Sequence, residues 1–283
     1  MQMIKMSVRI VSAALMVLVT GSMAPATAVA QTENAGEAPA SDYRSETVDG
    51  VTWRYFISNG MAVLEAPYKE KRPDSQMRFR WSVIDSKTAG AVKIPEKLGG
   101  VAVGRIGQEA FSCCTNLVSI TIPNGVESIG AAAFYSCKAL KSITIPSSVK
   151  SVEQKAFAHC WHLKEVTIKP GLESIGWQAF ISCPRLSYVR FPSSIRKVGH
   201  AKDGGGFRAF DVWGKYTYGP AVPVRTSEDG ALTFVVDKGD EDRVREMFCS
   251  RAYEMRRKLA RERALVCPVI QVMPEDEYRR LKD

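Results

Sequence analysis

Hydrophobic and polar positions recur in the middle of the chain with a period of 23 residues. An Ala-Phe pair begins at positions 110, 133, 156 and 179, and a cysteine follows each phenylalanine by three residues. Leucine recurs at 117, 140, 163 and 186, and aliphatic residues keep the same register at 126, 149, 172 and 195. A fixed period of this length predicts a solenoid in which each unit buries its apolar side against its neighbours.

One unit predicts three short segments. Residues 119–122 alternate between polar and apolar side chains, which predicts a strand with its two isoleucines pointing inward. Val126 and Ile129 are expected to point inward from a second extended piece, and residues 131–137 predict a short helical turn that delivers Phe134 to the core. Stacked copies would form a parallel β ladder with about 4.8 Å between rungs.

The units resemble leucine-rich repeats of the BspA type, which occur in bacterial surface and secreted proteins and in some protists. The segment Ala91 to Phe111 resembles a first repeat of that family, with a five-residue insertion that contains Gly99-Gly100. The resemblance covers residues 91–200. It implies a repeat solenoid with a parallel β ladder, and a binding or adhesion role without catalytic residues. The next Ala-Phe pair is displaced by seven residues, so 201–230 is expected to be an irregular loop or a last repeat.

Both flanks predict caps. Residues 31–45 are expected to be a flexible linker, and residues 46–90 an N-terminal β cap in which Asn59-Gly60 turns a hairpin between two apolar runs. After the repeats, 231–236 and 264–272 predict strands, and 239–263 predicts an amphipathic helix with acids in its first turn and bases in its last. Residues 231–283 are therefore expected to form a small C-terminal βαβ-like cap.

The first thirty residues have the pattern of a secretory signal peptide. Lys5 and Arg9 precede an apolar run over 10–19, and Ala28-Val29-Ala30 fits a cleavage site, so the mature chain would begin at Gln31. The run is shorter than the roughly 20 residues that span a bilayer, and no later run is long enough. We expect export through the Sec pathway, to the medium, cell surface or periplasm, with no membrane span in the mature chain. An uncleaved membrane anchor is the alternative.

The positive charge of the chain is concentrated in the repeats. The chain carries 39 basic and 30 acidic residues, a net charge of +9, and residues 91–200 hold 13 of the basic and 6 of the acidic residues. A basic repeat surface can attract anionic polymers or cell surfaces, and improved solubility is the alternative explanation. Acids and bases are interspersed in the predicted helix, which favours a solvated face over nucleic-acid binding.

The cysteines and histidines offer little chemistry. The four repeat cysteines are expected to face the core as small apolar residues, whereas Cys249 and Cys267 lie outside the repeats and are compatible either with a disulfide or with free thiols. His159, Cys160 and His162 are too few for a zinc site. No G-x-S-x-G, phosphate-binding loop or dinucleotide turn occurs. We expect no metal, no cofactor and no enzymatic activity.

The outward positions of the predicted strands are where a partner would bind. We predict a binding face for a protein or glycan made of Thr121, Thr144, Glu165, Thr167, Tyr188 and Arg190. Its Tyr188-Arg190 end is the richest, because Tyr and Arg are favoured in interface hot spots. A second column, Glu127, Lys150, Glu173 and Arg196, alternates in sign and is interpreted as structural. The alternative function is a structural module of an envelope or extracellular assembly, without a soluble ligand.

Overall fold

The computed structural model describes residues 42–67, 82–199, 231–248 and 269–282. Within these residues the strands are β1 (Arg44–Val48), β2 (Val51–Ser58), β3 (Met61–Leu64), β4 (Gly90–Lys93), β5 (Lys97–Leu98), β6 (Val101–Ile106), β7 (Leu117–Thr121), β8 (Ser128–Ile129), β9 (Ser142–Ile145), β10 (Ser151–Val152), β11 (Glu165–Ile168), β12 (Ser174–Ile175), β13 (Tyr188–Phe191), β14 (Lys197–Val198), β15 (Ala231–Val236) and β16 (Val269–Pro274), and the helices are α1 (Glu241–Phe248) and α2 (Glu275–Lys282). The predicted signal peptide, the segment 201–230, and the cysteines at 249 and 267 lie outside the described residues. No helix in the described part is long and apolar enough to cross a membrane.

The repeats form two parallel β ladders, which confirms the predicted solenoid and its 23-residue period. In the first ladder β9, β11 and β13 pair in parallel, so that Thr144 lies beside Thr167 and Thr167 beside Arg190. In the second ladder the two-residue strands β8, β10, β12 and β14 pair in parallel, with Val152 between Ile129 and Ile175. Units of equal length place equivalent residues on neighbouring rungs, so the apolar positions of every repeat meet in one core.

The third side of each repeat is a series of turns, and the predicted short helical turn is wrong. Ala132 and Ser136 have φ angles of 53° and 58°, and the equivalent residues of the other described repeats are also left-handed. An α-helix cannot include such residues. The left-handed positions leave backbone N–H groups free to bond across repeats: Phe134 N donates to Ala156 O at 2.7 Å, so this side is also hydrogen-bonded from rung to rung. We call it the turn side.

A column of phenylalanine rings fills the centre of the solenoid. The rings of Phe111, Phe134, Phe157 and Phe180 are fully buried. Successive ring centroids are 4.9, 5.0 and 5.1 Å apart, with interplanar angles of 5° or less. The spacing follows the rung spacing of the ladders. The ring stack therefore joins each repeat to the next through the core.

The repeat cysteines line the same core, as predicted. Cys114, Cys137, Cys160 and Cys183 are fully buried. The thiols of Cys137, Cys160 and Cys183 donate to the carbonyl oxygens of the phenylalanines 26 residues earlier, at 3.1 to 3.2 Å. Burial raises the pKa of Cys114 to about 11 and raises those of Cys137 and Cys160 well above the usual value. The thiols of Cys137 and Cys160 therefore satisfy backbone carbonyls inside the turns and stay protonated at neutral pH.

One glycine is required by the backbone at a corner of the repeats. Gly171 has a φ of 134°, and a Cβ placed there would overlap the carbonyl oxygen of Ser147 in the preceding repeat. Gly125 occupies the same repeat position two units earlier and has ordinary backbone angles; a Cβ there would lie 3.3 Å from Val103 O. The requirement at Gly171 is therefore local rather than a property of the repeat.

The N-terminal cap contains the predicted hairpin and one further strand. Strands β2 and β3 pair antiparallel across Asn59-Gly60, whose φ angles of 48° and 73° suit a type I′ turn. Strand β1 pairs with β2 across Asp49-Gly50, a second turn of the same kind that the sequence analysis did not use. Because β1 begins at Arg44, it starts within the predicted linker. Strand β3 pairs in parallel with β6, so the hairpin continues the second ladder and covers its edge.

The C-terminal segment extends the first ladder, which confirms the βαβ-like cap. Strand β15 pairs in parallel with β13, and β16 pairs in parallel with β15. Helix α1 begins at Glu241, two residues after the predicted start, and the predicted helix beyond 248 lies outside the described residues. Arg243 joins this cap to the repeats, because its guanidinium donates to Ile195 O at 2.7 Å. Hydrogen bonds from Arg243 lower the pKa of Asp240.

Candidate binding surface

Four of the six predicted binding residues lie on an open surface, three of them on the first ladder and Thr121 on β7, which pairs in parallel with β4 in a separate two-stranded sheet. Alternation along the strands buries Ile143 and Val166 and turns their neighbours outward. Thr121, Thr144 and Glu165 are exposed, and Thr167 is half-buried. The register places Thr144 beside Thr167 and Glu165 beside Ser142, and Thr121 occupies the repeat position of Thr144 one unit earlier. We call this surface, made of Thr121, Thr144, Glu165 and Thr167, the outer face.

The other two predicted binding residues contact the C-terminal cap. The Tyr188 ring lies 5.0 Å from the ring of Tyr278 in α2. Arg190 Nη2 binds Asp237 Oδ1 at 3.0 Å, and Arg190 Nη1 lies 3.1 Å from Glu275 Oε2 as an ion pair without the alignment of a hydrogen bond. Burial, followed by the negative charge of Glu275, raises the pKa of Tyr188. Both side chains are thus half-buried and hold α2 and the end of β15 in place.

Helix α2 therefore closes the outer face at its C-terminal end. Val235 pairs with Arg190 in the outward register and Met273 pairs with Val235, yet these two apolar side chains are only 0% and 8% exposed. Helix α2 directly follows β16 and packs against β15 and β16. We did not predict this helix from the sequence, although the acidic residues Glu275, Asp276 and Glu277 in its first turn indicate the start of a helix.

A second group of polar and aromatic side chains lies on the turn side. Lys138 Nζ is 4.4 Å from the centre of the Trp161 ring, and Lys155 Nζ is 5.5 Å from that of Trp177. The ring centroids of Tyr135 and His159 are 5.1 Å apart, and the two rings are arranged edge to face. We did not predict from the sequence that these residues take part in binding. The sequence does contain a signal for this group, because large aromatic residues occupy repeat positions where other copies have smaller or polar residues. Trp161, for example, stands at the repeat position held by Lys138 and Pro184 in the neighbouring copies.

The side chains of His159, Cys160 and His162 on the turn side do not point toward one common site. Cys160 points into the core and donates to Phe134 O at 3.2 Å, whereas His162 is exposed and its Nδ1 lies 2.7 Å from Lys138 O. Burial, followed by the positive charges of Lys155 and Lys138, lowers the pKa of His159. Across the described residues, no group of three or more His, Cys, Asp and Glu side chains could hold a metal ion.

The repeats match a known family model. The model for the BspA type leucine-rich repeat region matches residues 91–201 in six copies. Among solved structures, the leucine-rich repeat protein TpLRR of T. pallidum is 24% identical over 62% of this chain and 68% of its own, with a TM-score of 0.44. A leucine-rich cell surface protein of Faecalibacterium prausnitzii is 28% identical over 59% of this chain, with a TM-score of 0.44. A leucine-rich repeat protein of Bacteroides ovatus is 28% identical over 58% of this chain, with a TM-score of 0.40.

This chain spans 38% of the F. prausnitzii protein and 45% of the B. ovatus protein. A search of curated proteins found no match. The matched residues include the recurring Ala-Phe, cysteine and leucine positions, which the structure places in the core. Residues 91–201 of this chain are therefore a leucine-rich repeat region of the BspA type.

Proposed function

We propose that this protein is an exported, non-catalytic binding or adhesion protein whose outer face recognises a protein or glycan partner. The observation that carries the proposal is the exposure of Thr144 and Glu165 in adjacent columns of the first ladder, with Thr121 exposed at the same repeat position one unit before Thr144. Their inward neighbours build the core, so these outward side chains are free to vary without cost to packing. The signal-peptide pattern of residues 1–30 supports export.

The geometry favours a small interface. Lys93 pairs with Thr121 and Thr144 pairs with Thr167, and these four repeat positions at about 4.8 Å each span roughly 14 Å. Beyond Thr167 the column reaches Arg190, where α2 begins to cover it. A standard stable interface buries roughly 1,200 Å² or more of total area. An open column only about 14 Å long offers less area than that. We therefore expect weak individual contacts that gain strength when several copies act together.

The experiment is a binding array with a blocked outer face. The purified protein is applied to immobilised mucins, glycans and matrix proteins at physiological salt. The variant T121R/T144R places two bulky cations on the outer face. The control S147R/Q154R adds the same charge at two exposed positions elsewhere in the repeats. A selective signal that falls at least tenfold in T121R/T144R and persists in the control supports the proposal. A signal that both variants retain, or that both lose equally, contradicts it.

One observation favours the structural alternative. The two residue types best suited to a hot spot, Tyr188 and Arg190, are held by Tyr278, Asp237 and Glu275 of the same chain. A structural module of an envelope or extracellular assembly would use its surface in this way and would need no soluble ligand. It predicts no signal on any immobilised ligand at physiological salt.

A further inference from the structure

Basic residues cluster where three successive repeats pass from the turn side into the first ladder. We call this cluster, made of Lys138, Lys141, His162, Lys164 and Arg185, the basic corner. All of these side chains are exposed except that of Lys138, which is half-buried. Lys164 N donates to Lys141 O at 2.8 Å, and His162 N donates to Lys138 O at 3.1 Å. Lys141 of one repeat therefore lies on the rung next to Lys164 of the following repeat.

The basic corner places like charges on neighbouring rungs. Lys141 and Lys164 are adjacent like charges, an arrangement that costs stability. In the part of the chain that the structure describes, Lys138, Lys141, Lys164 and Arg185 form no ion pair. The nearest acidic position in sequence is Glu165, the first residue of β11. A bound anion would relieve the repulsion between these lysines.

Another column of the same solenoid places opposite charges on neighbouring rungs. Lys150 N donates to Glu127 O at 2.8 Å, Glu173 N to Lys150 O at 2.9 Å and Arg196 N to Glu173 O at 2.9 Å. In that column each charge lies beside the opposite charge, as the sequence indicated. Two columns with identical rung spacing thus differ in charge pattern, so the scaffold does not impose like charges on the basic corner.

Two contacts hold the basic corner in shape. The ammonium of Lys138 lies over the Trp161 ring at 4.4 Å, a cation–π contact that limits the freedom of the lysine side chain. The His162 ring is fixed through Nδ1, which lies 2.7 Å from Lys138 O. Ordering the side chains before binding reduces the entropy lost on binding. The lowered pKa of His159 reflects, after burial, the positive charges of Lys155 and Lys138 and places this part of the turn side in the same positive field.

We propose that the basic corner binds an anionic polysaccharide that carries carboxylate or sulfate groups. Cations on rungs about 4.8 Å apart match a polymer whose anions repeat along an extended chain. Charge-assisted hydrogen bonds from lysine and arginine to carboxylate or sulfate are the strong contacts available on such a surface. The signal-peptide pattern of residues 1–30 predicts export, which would expose the basic corner to polysaccharides outside the cytoplasm. This site goes beyond the proposed function, because it shares no residue with the outer face.

The test compares two variants with equal net charge. K141Q/K164Q removes the adjacent lysines of the basic corner. K150Q/R196Q removes two cations, also exposed, from the alternating column. The purified protein and both variants are titrated with heparin, polygalacturonate, neutral dextran and double-stranded DNA at physiological salt, and the salt dependence of binding is measured. Circular dichroism and melting curves confirm that each variant is folded.

We expect binding to heparin or polygalacturonate, none to dextran, and affinity about tenfold lower in K141Q/K164Q, since each exposed charge contact contributes modestly. The salt dependence should also decrease in that variant and stay unchanged in K150Q/R196Q. Three results would overturn the proposal: no binding to either acidic polysaccharide, an equal loss in both variants, or equally tight binding to DNA. The outer-face variant T121R/T144R should keep polysaccharide binding, which separates this site from the proposed function.

Discussion

Replacement of Phe157 by alanine tests whether the ring stack holds the repeats together. The Phe157 side chain is fully buried and stacks on Phe134 at 5.0 Å and on Phe180 at 5.1 Å. Complete removal of a buried phenylalanine costs about 3 to 5 kcal/mol when the cavity does not collapse. Each aromatic pair adds roughly 0.5 to 1.5 kcal/mol beyond its buried area. Because Phe157 forms two such pairs, we expect F157A to lie at the upper end of the range for a buried phenylalanine and to lower the free energy of unfolding by about 4 to 5 kcal/mol.

The variant F157L separates the volume of the side chain from ring stacking. Leucine keeps most of the apolar volume but loses both ring pairs, so we expect F157L to cost about 1 to 2 kcal/mol. The control Q154A changes an exposed residue of the same repeat and should stay within about 0.5 kcal/mol of the parent.

Urea denaturation followed by circular dichroism measures the three free energies, and the melting temperature of F157A should fall by roughly 10 to 15 °C. A loss below about 1 kcal/mol in F157A would refute the idea that the stack couples the repeats. Equal losses in F157A and F157L would instead show that ring stacking, rather than apolar volume, carries the whole effect.

Three further predictions test other parts of the fold. A thiol reagent at pH 8 should label exposed Cys113 in the folded protein but leave Cys160 unlabelled until urea unfolds it, because burial raises the pKa of Cys160; peptide mapping detects the difference. G171A should lower the melting temperature by several degrees, a loss of about 2 kcal/mol or more, whereas G125A at the equivalent position should cost about 1 kcal/mol or less. The lowered pKa of Asp240 means that its stabilisation is complete above the ordinary value of about 3.9 and is lost as pH falls through the lowered value. D240N should therefore have a lower melting temperature than the parent protein at pH 7. The difference in melting temperature should shrink when the pH is lowered below about 3.9. An equal difference at pH 7 and at that low pH would contradict the role assigned to Asp240.

The sequence predicted the elements whose signal is periodic or local. The 23-residue period determined the register of both ladders, because stacked units of equal length must place position n beside position n + 23. Asn59-Gly60 determined a hairpin, since both residues adopt positive φ readily. Asp49-Gly50 carried the same signal for β1 and β2 but was overlooked. The helical turn was predicted wrongly because the apolar spacing around Phe134 fits a helix equally well, and only contacts with the next repeat select left-handed turns.

The candidate surfaces depend on tertiary structure to a greater degree. Alternation identified Thr121 and Thr144 as outward-facing, but no periodic signal reports what lies above an outward residue. Helix α2 covers the end of the outer face because Arg190, in the last repeat, forms ion pairs with Glu275 in α2 and with Asp237 at the end of β15. The like charges of the basic corner belong to different repeats and become neighbours only when the repeats stack. The sequence alone thus determined which residues face the core, because burial repeats with the period. Only the folded chain determined which outward residues remain open, because that depends on contacts between residues far apart in sequence.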